Sequence, residues 1–432
     1  MKTNLRKLAY FALDSLKKGG VKEGIEALER SENDAHFYNT YKSKSIDNFL
    51  KSLKEVPFYK DVNPAKDFTQ FPVLQKPYIQ EQIDLFLSKA YRKDELVEVS
   101  TSGSYGLPAT FYLTKNKKAL QLAEVVHYGR KAGYDIGTKH MYIRSVVHKS
   151  KFKQFVQNEH YLGCKNLDAA FLDKARKLLK SKRIEVIIGF PTAIQMIAEH
   201  CKRQGDLPSE FSIKGVITSS ENLSAQQRSI MKDAWGEIDI CSRYSTEEFG
   251  VLACQYKEAG KFYVNSLNYH IELLKIDSDE PCAPGEVGRI IVTDLNSYAN
   301  PLVRYDTGDL ALCDGSEKDK FGSIVSFQSL VGRGIQVITT PTGELKYPLF
   351  FECIMEAFSE HISQYQIIQE SNVLYRVLMV SKSALDQSIK EAVKSAVLDW
   401  LGDEAQIVME EVENIEALPS GKRPYVINKT LG

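Results

Sequence analysis

Three serines, one threonine and two glycines fall within seven consecutive positions of the chain: Ser100, Thr101, Ser102, Gly103, Ser104 and Gly106. In a loop, hydroxyls and backbone N–H groups can surround the oxygens of a phosphate, because glycine lets the backbone approach the ligand closely. A Walker A loop is excluded, since Leu107 and Pro108 stand where that motif needs lysine followed by serine or threonine. The stretch predicts either a phosphate site or a plain turn between two strands.

The elements around this stretch predict an α/β fold. Residues 1 to about 53 show helical periodicity, and a further helix is expected around residues 77–89. From residue 97 onward, short strand-like runs alternate with helix-like runs, a pattern typical of a largely parallel sheet. Residues 261–330 then read as strands separated by turns, without long helices between them. The sequence therefore predicts a large α/β body that carries a β-rich subdomain.

A second, smaller domain is predicted after this body. A strand–turn–strand pattern with Thr342 and Gly343 in the turn begins near residue 335, and an α+β pattern continues to the end. We predict a large N-terminal domain of residues 1–333 and a small mobile C-terminal α+β domain of residues 334–432.

Composition and charge restrict the partners and the compartment. Lys plus Arg and Asp plus Glu number 56 each, so no net field attracts nucleic acid or an anionic membrane. The seven cysteines form no Cys-x-x-Cys pair, which favours reduced thiols. Residues 1–20 lack the unbroken apolar stretch of a signal peptide, and no run approaches the length of a membrane span. These features predict a cytoplasmic protein without a nucleic-acid partner or membrane insertion.

Five stretches in the chain share their order and spacing with the motifs of a known superfamily. They are STSGSYGLPA (100–109), RYSTEEFG (243–250), NPLVRYDTGDLA (300–311), VGRG (331–334) and LPSGKRPYVINK (418–429). In this order they resemble the motifs of adenylate-forming enzymes. The runs VPFYK, FPVLQK and PLVRYDTGD resemble the phenylacetate-CoA ligase-like branch and, within it, CapK-like proteins. The resemblance covers residues 55 to 429.

The resemblance implies a large nucleotide- and acyl-binding domain and an AMP-forming acid–thiol ligase activity. Such an enzyme activates a small carboxylic acid with ATP as an acyl adenylate and releases pyrophosphate. The acyl group then passes to CoA, a carrier-protein thiol or an amine such as an amino sugar. Two anions must meet at the α-phosphorus, so the site must position them and neutralise charge. The implied cofactors are ATP or AMP, Mg²⁺ and CoA.

The resemblance also assigns roles to single residues. The nucleotide would be contacted by Thr101, Ser102, Gly103, Ser104, Gly106, Ser219, Ser220, Glu221, Tyr244, Asp309 and Arg333. Residues 101–106 would hold the β- and γ-phosphates, and Tyr244 would pack on adenine beside residues 219–221. Asp309 would accept hydrogen bonds from both ribose hydroxyls, and Arg333 would reach the same ribose.

Two further residues carry the chemistry that the resemblance implies. Glu248 is the expected Mg²⁺ ligand and a catalytic residue, with Glu247 as the alternative, because carboxylate oxygens suit this ion. Lys422 is the expected catalytic cation, since a flexible ammonium can sit between the attacking carboxylate and the α-phosphate. Arg304 has a structural alternative, in which it holds its loop by ion pairing, and is left out of the catalytic set.

Departures from the family pattern leave alternatives open. Gly334 stands where relatives commonly carry a hinge aspartate, so the residue about which the small domain would turn is undefined. Because the transfer step needs this movement, CoA is a weaker expectation than ATP. Only Cys254 stands where some relatives carry a Cys/His cluster, which predicts no structural zinc. An alternative function is a family member without turnover that acts as a binding or assembly protein in capsule polysaccharide biosynthesis. The joint presence of Glu248, Asp309, Arg333 and Lys422 favours the enzyme.

Overall fold

The chain folds into two compact units, which are described separately. One unit comprises Met1–Thr307 and Cys313–Ser329, and the other comprises Gly308–Leu312 and Leu330–Gly432. The computed structural model describes residues 5–16, 19–61, 67–100, 109–144, 149–164, 167–257, 260–315, 318–333 (residue 333 by its backbone), 337–347, 351, 354–355, 357–382, 384–416 and 423–430. The functional division predicted between residues 333 and 334 stays a prediction.

The helices of the first unit begin mostly at side-chain caps. Those described are α1 Leu5–Leu16, α2 Val21–Asn33, α3 Ala35–Ser52, α4 Lys76–Glu81, α5 Lys115–Gly129, α6 Lys151–Gln157, α7 Ala169–Lys182, α8 Pro191–Arg203 and α9 Ala225–Trp235. Asp34, Thr114, Asp168 and Ser224 each accept a hydrogen bond from a backbone N–H in the first turn of the helix that follows. These caps satisfy donors that the helix itself leaves unpaired. No helix in the described part of the chain is long and apolar enough to cross a membrane.

The strands up to residue 333 form two larger sheets and a hairpin. They are β1 Leu74–Gln75, β2 Val97–Ser100, β3 Thr110–Leu113, β4 His140–Arg144, β5 Glu159–Gly163, β6 Val186–Gly189, β7 Gly215–Ser219, β8 Asp239–Thr246, β9 Gly250–Gln255, β10 Phe262–Val264, β11 Tyr269–Leu274, β12 Val287–Asp294, β13 Tyr305–Leu312, β14 Ser326–Phe327 and β15 Ser329–Arg333. β2 and β3 form the hairpin that flanks residues 101–108.

The central sheet has the order β14-β10-β9-β8-β7-β6-β4-β5. Strands β8, β7, β6, β4 and β5 run parallel, while β9, β10 and β14 add antiparallel partners at one side. Ile187, Val216 and Ile240 pack against α7, α8 and α9, while Ile188 and Ile217 pack on the opposite face with residues of α5. Both faces are therefore covered, as a parallel sheet requires.

The second sheet carries the β-rich part of the chain. Its order is β1-β13-β12-β11, and β15 also pairs with β13. β11 pairs along its whole length with residues 289–294 of β12 in an antiparallel arrangement, whereas β1 joins β13 in parallel. The predicted α/β class with a β-rich subdomain is confirmed by this arrangement.

The second unit is a small α+β assembly. Its further described elements are β16 Ile338–Thr339, β17 Leu345–Lys346, β18 Ile362–Gln369, β19 Leu374–Ser381, α10 Gln387–Leu401, β20 Gln406–Glu411 and β21 Val426–Asn428. The sheet order is β20-β19-β18-β21, and Val393, Val397 and Leu401 of α10 belong to its core. β16 and β17 form the predicted strand–turn–strand, and Gly343 in the turn has φ +89°. This left-handed conformation suits glycine.

Candidate functional site

The candidate site of the first unit lies where two neighbouring parallel strands end. β7 and β8 pair in register, with Ser219 opposite Arg243. Because parallel strands present their carboxyl ends at the same edge, the residues that follow both strands meet there. The structure thus brings together five predicted site residues: Ser219, Ser220, Glu221, Tyr244 and Glu248.

The loop after β7 has an unusual backbone. Ser219 is buried, whereas Ser220 is exposed and has φ +73°, which is rare for a residue with a side chain. The Glu221 carboxylate accepts a hydrogen bond of 3.2 Å from the backbone N–H of Thr192, in the first turn of α8. A carboxylate at a helix N-terminus is favoured electrostatically. Glu221 therefore links the strained loop to α8, a positioning contact that the sequence did not reveal.

Tyr244 lies near the end of β8 and is buried. The pairing of β8 with β9 shifts register between Tyr244 and Ser245, which is the signature of a β-bulge. Bulges redirect the side chains that follow them and are frequent beside functional sites. The ring packs edge-to-face on Phe327 with centroids 6.4 Å apart. The stacking of Tyr244 on adenine stays a prediction.

Glu247 and Glu248 differ sharply in environment. Glu248 is only 6% exposed, whereas the Glu247 side chain is exposed. The backbone carbonyl of Glu247 accepts a hydrogen bond of 3.1 Å from the Gln121 side chain. A buried carboxylate at the strand ends offers the hard oxygen donors that Mg²⁺ prefers. Both carboxylates offer such donors, and Glu248 is the buried one of the two; its role as the Mg²⁺ ligand stays a prediction.

A buried polar network supports the turn that carries Glu248. The backbone N–H of Val251 donates to Glu124 Oε2 (3.0 Å), and the Asn268 amide donates to Glu124 Oε1 (2.8 Å). The Tyr269 hydroxyl donates to the carbonyl of Phe249 (2.6 Å) and lies 3.0 Å from Glu124 Oε1. Since residues 249 and 251 flank the turn on its carboxyl side, Glu124 and Tyr269 fix its path.

Lys117 provides the positive charge of this network. Its ammonium lies 2.7 Å from Asp294 and donates to the Tyr269 hydroxyl at 3.1 Å, and the side chains of Lys117 and Asp294 are fully buried. Burial raises the pKa of Glu124 to about 7, although the charge of Lys117 opposes this shift.

The sequence interpretation missed this network, although one signal was present. Lys117, Gln121 and Glu124 recur at helical spacing and therefore lie on one face of α5. In the structure that face is buried rather than solvated.

Arg304 has the structural role that the sequence left open. Its guanidinium donates two hydrogen bonds of 3.0 Å to the Glu272 carboxylate. It also donates to the backbone carbonyls of Thr69 and Phe71 at 3.3 and 2.9 Å. Arg304 and Glu272 are both buried, so the bidentate pair ties the start of β13 to β11, while the two carbonyl contacts tie it to residues 69–71. The structural interpretation of Arg304 is confirmed.

Other predicted site residues lie in the second unit or outside the described residues. Asp309 is a buried residue of β13 and follows Gly308, which has φ +74°. Arg333 ends β15. The loop residues Thr101, Ser102, Gly103, Ser104 and Gly106, together with Lys422, fall outside the described residues. Their roles stay predictions. Within the described residues, no group of three or more His, Cys, Asp and Glu side chains is arranged to hold a metal ion.

The sequence of the chain is similar to a known domain family within the small unit and to named proteins over a larger part of its length. Residues 338–429 match the CapK C-terminal domain. The chain is 21% identical to Protein CapK of Staphylococcus aureus over 409 residues, which cover 91% of this chain and 87% of that protein. It is 27% identical to a phenylacetate-coenzyme A ligase of Thermus thermophilus over 202 residues, or 44% of this chain and 43% of that protein. These relatives confirm the resemblance of the chain to the phenylacetate-CoA ligase-like and CapK-like branch of the adenylate-forming superfamily.

A solved structure shares the fold of this chain. It is a 2-hydroxyisobutyryl-CoA ligase in the postadenylation state, in complex with R3-HIB-AMP, with a TM-score of 0.70. The match covers 92% of this chain and 91% of the ligase at 16% identity. At this identity the likeness shows the fold, and it agrees with the predicted body and small C-terminal domain.

Gly250 closes the turn after Glu248, and the space around it leaves no room for a side chain. Its φ is +117°, and a Cβ there would contact the Glu124 carboxylate and lie 2.9 Å from Gln121 Cγ. We expect Gly250→Ala to lower the free energy of unfolding by about 3 kcal/mol or more, because the backbone strain at positive φ adds to the overpacking of the new methyl group. Urea denaturation measures the loss.

Gly285→Ala is the matched control for this prediction. Gly285 also has a positive φ, +82°, but a Cβ there would have nothing within 4 Å. Only the backbone strain remains, which costs about 1–2 kcal/mol. Equal losses in the two variants would contradict the packing explanation.

The raised pKa of Glu124 predicts a pH-dependent stability. A carboxyl whose pKa is higher in the folded chain than in the unfolded one favours folding while it is protonated. This contribution is lost as the pH rises from below 4.5 through about 7. We expect the unfolding free energy of the native protein to fall relative to that of Glu124→Gln by roughly 2 kcal/mol between about pH 5 and pH 8.

Urea denaturation of both proteins across this pH range measures the difference. Glu159→Gln is the control, because Lys149 and His140 lower the pKa of Glu159 despite its burial. For that pair the difference is expected to stay nearly constant between about pH 5 and pH 8, since a lowered pKa stabilises the fold fully at any pH above the unfolded value of 4.5. A pH-independent difference between Glu124→Gln and the native protein would contradict the raised pKa.

Proposed function

We propose that the protein is an AMP-forming ligase that activates a carboxylic acid with ATP. The acyl adenylate forms with release of pyrophosphate, and the acyl group then passes to CoA or to another thiol or amine. The observation that carries this proposal is the meeting of the buried Glu248, Tyr244 and the strained loop 219–221 at the carboxyl ends of β7 and β8. Ligands of open α/β sheets bind at such an edge, beyond the carboxyl ends of the strands.

The named relatives support the same reaction class. The Thermus thermophilus relative is a phenylacetate-coenzyme A ligase, and the 2-hydroxyisobutyryl-CoA ligase was solved with an AMP-linked compound. An acid, ATP and CoA are therefore the substrates that we propose for this chain.

The proposal gives each site residue a task. Residues 101–106 hold the β- and γ-phosphates, Ser219 to Glu221 and Tyr244 surround the adenine, and Asp309 and Arg333 bind the ribose. Glu248 is the residue that would hold Mg²⁺, an ion that neutralises phosphate charge when bound. Lys422 stabilises the negative charge that develops between the carboxylate and the α-phosphate.

In an alternative function, the protein has the same fold but does not catalyse the ligase reaction. In it the protein is a binding or assembly component of capsule polysaccharide biosynthesis. The match of residues 338–429 to the CapK C-terminal domain supports a place in the CapK-like branch and is compatible with both functions. A cytoplasmic location is proposed for both.

Pyrophosphate exchange tests the proposed function. The protein is incubated with ATP, Mg²⁺, labelled pyrophosphate and a panel of aryl, fatty and amino acids. Label entering ATP in the presence of one acid supports the ligase and identifies its acid class. If calorimetry detects ATP binding but no acid supports the exchange, the result contradicts the ligase function and supports the alternative. For an active acid, mass spectrometry after addition of CoA or an amino sugar identifies the acceptor.

A further inference from the structure

Helix α1 presents a continuous apolar stripe to solvent. The stripe consists of Leu5, Leu8, Ala9, Ala12, Leu13 and Leu16, all exposed and spaced at i, i+3, i+4, i+7, i+8 and i+11. Leu5 and Leu16 are 77% and 81% exposed. This spacing places the side chains on one face, which in a globular protein normally faces the core. The stripe on α1 faces outward instead.

The opposite face of α1 fixes this orientation. Tyr10 and Phe11 pack against the buried cluster that contains Val21 and Ile25 of α2. The Asp14 carboxylate is buried and accepts a hydrogen bond of 3.1 Å from the backbone N–H of Lys22. The polar and aromatic side of α1 is therefore docked on the protein, and the leucine side is the one left outside.

Helix α6 extends the exposed apolar surface. Phe152, Phe155 and Val156 are 75%, 70% and 51% exposed, at i, i+3 and i+4. The Arg6 guanidinium of α1 lies 5.3 Å from the centroid of the Phe155 ring, so the two helices are neighbours. The exposed leucines of α1 and these three residues of α6 together form what we call the α1–α6 patch. Exposed apolar patches of this kind mark interaction surfaces.

The charges around the α1–α6 patch are positive. Arg6 of α1 and Lys151 and Lys153 of α6 flank it, and Lys7 pairs with Asp135 at 2.7 Å. Among the described residues of α1 and α6, the single acidic residue is the buried Asp14. Two copies joined through this patch would bring cations together without acidic groups on the patch to compensate them.

We propose that the α1–α6 patch docks on the surface of an anionic lipid bilayer. The leucine and phenylalanine side chains enter the boundary between headgroups and acyl chains, and Arg6, Lys151 and Lys153 meet the lipid phosphates. The zero net charge of the chain does not oppose this contact, because headgroup attraction acts only within about a Debye length of the surface. The docking does not depend on the proposed ligase activity.

Vesicle flotation tests the proposal with the full chain. Phosphatidylcholine vesicles are compared with vesicles of equal parts phosphatidylcholine and phosphatidylglycerol, without ATP. We expect the protein to float with the anionic vesicles and to bind the neutral ones less. Phe152→Gln/Phe155→Gln is expected to lower anionic-vesicle binding about tenfold or more, because two large apolar side chains no longer leave water. Lys151→Glu/Lys153→Glu is expected to lower it by a similar factor.

Leu207→Gln is the matched control, because Leu207 is 62% exposed but lies on neither helix. This variant is expected to float like the native protein. Circular dichroism and urea denaturation check that all variants fold. No flotation of the native protein, or flotation unchanged in the Phe152→Gln/Phe155→Gln variant, overturns the proposal. A concentration-dependent dimer in sedimentation equilibrium that this variant abolishes, without vesicle binding, also overturns it and assigns the patch to a second copy.

Discussion

Replacing Lys422 by alanine is expected to lower acid-dependent pyrophosphate exchange about a hundredfold or more. In the proposed reaction two anions approach each other, and the Lys422 ammonium compensates the charge that develops between them. Removal of one preorganised donor to such charge costs roughly a hundredfold to a thousandfold in rate. Because the effect belongs to the transition state, kcat should fall more than the KM for ATP rises.

Lys429→Ala is the control in the same tail segment. The Lys429 ammonium pairs with Glu370 at 2.9 Å and is half exposed, so its contribution to stability is small. We expect this variant to keep native exchange. Equal exchange in the Lys422→Ala and native proteins would remove Lys422 from the mechanism while leaving the ligase function itself intact.

Glu248→Gln is expected to lower exchange about a hundredfold at limiting Mg²⁺ and to raise the Mg²⁺ concentration needed for half-maximal rate. Glutamine keeps the size of the side chain but removes the charge that favours binding of the cation. The decisive measurement is a Mg²⁺ titration of the exchange rate at fixed ATP. A merely structural role for Glu248 would lower the rate equally at all Mg²⁺ concentrations.

Glu247→Gln is the matched control for the neighbouring position. Its side chain is exposed, and the contact with Gln121 uses the backbone carbonyl, which the substitution leaves in place. We expect a native Mg²⁺ dependence. A shifted Mg²⁺ titration in Glu247→Gln together with a native one in Glu248→Gln would reassign the metal ligand to Glu247.

The sequence predicts an element well where its local signals agree. Helix α9 coincides with one of the helix-like runs after residue 97, because Ser224 and Gln227 form a capping box at its start and Gly236 follows its end. The strand β5 was missed, because its Glu159 and His160 are polar. Glu159 is nevertheless buried, with Lys149 at 2.7 Å from its carboxylate, so tertiary contacts rather than local pattern stabilise this strand.

The expected helix around residues 77–89 is shorter than the pattern suggests. Helix α4 ends at Glu81, and Gln82 adopts φ −125° and ψ 31°, outside the helical region. A single turn of tighter helix follows at Ile83–Phe86, and the Phe86 ring stacks on Phe58 with centroids 4.3 Å apart. Aromatic packing against a distant segment sets this geometry, and a local pattern does not encode it.

Sequence motifs assign part of the candidate site. They do not assign the part that depends on which side chains the fold buries. The motif RYSTEEFG assigns Tyr244 and, by its register, Glu248 rather than Glu247, whereas only the structure adds that Glu248 is buried and Glu247 exposed. Lys117 and Glu124 have no motif, and charged residues on a helix are normally solvated. Only the fold shows that their common face is enclosed and holds the turn of Glu248.

The bidentate pair of Arg304 and Glu272 restricts which substitutions the two positions can accept. Loss of either partner leaves an uncompensated charge in a dry environment, which typically costs about 3–5 kcal/mol, whereas replacement of both by apolar residues is often tolerated. Substitutions at the two positions are therefore expected to occur together during evolution. Among distant relatives, arginine without its glutamate should be rarer than the loss of both.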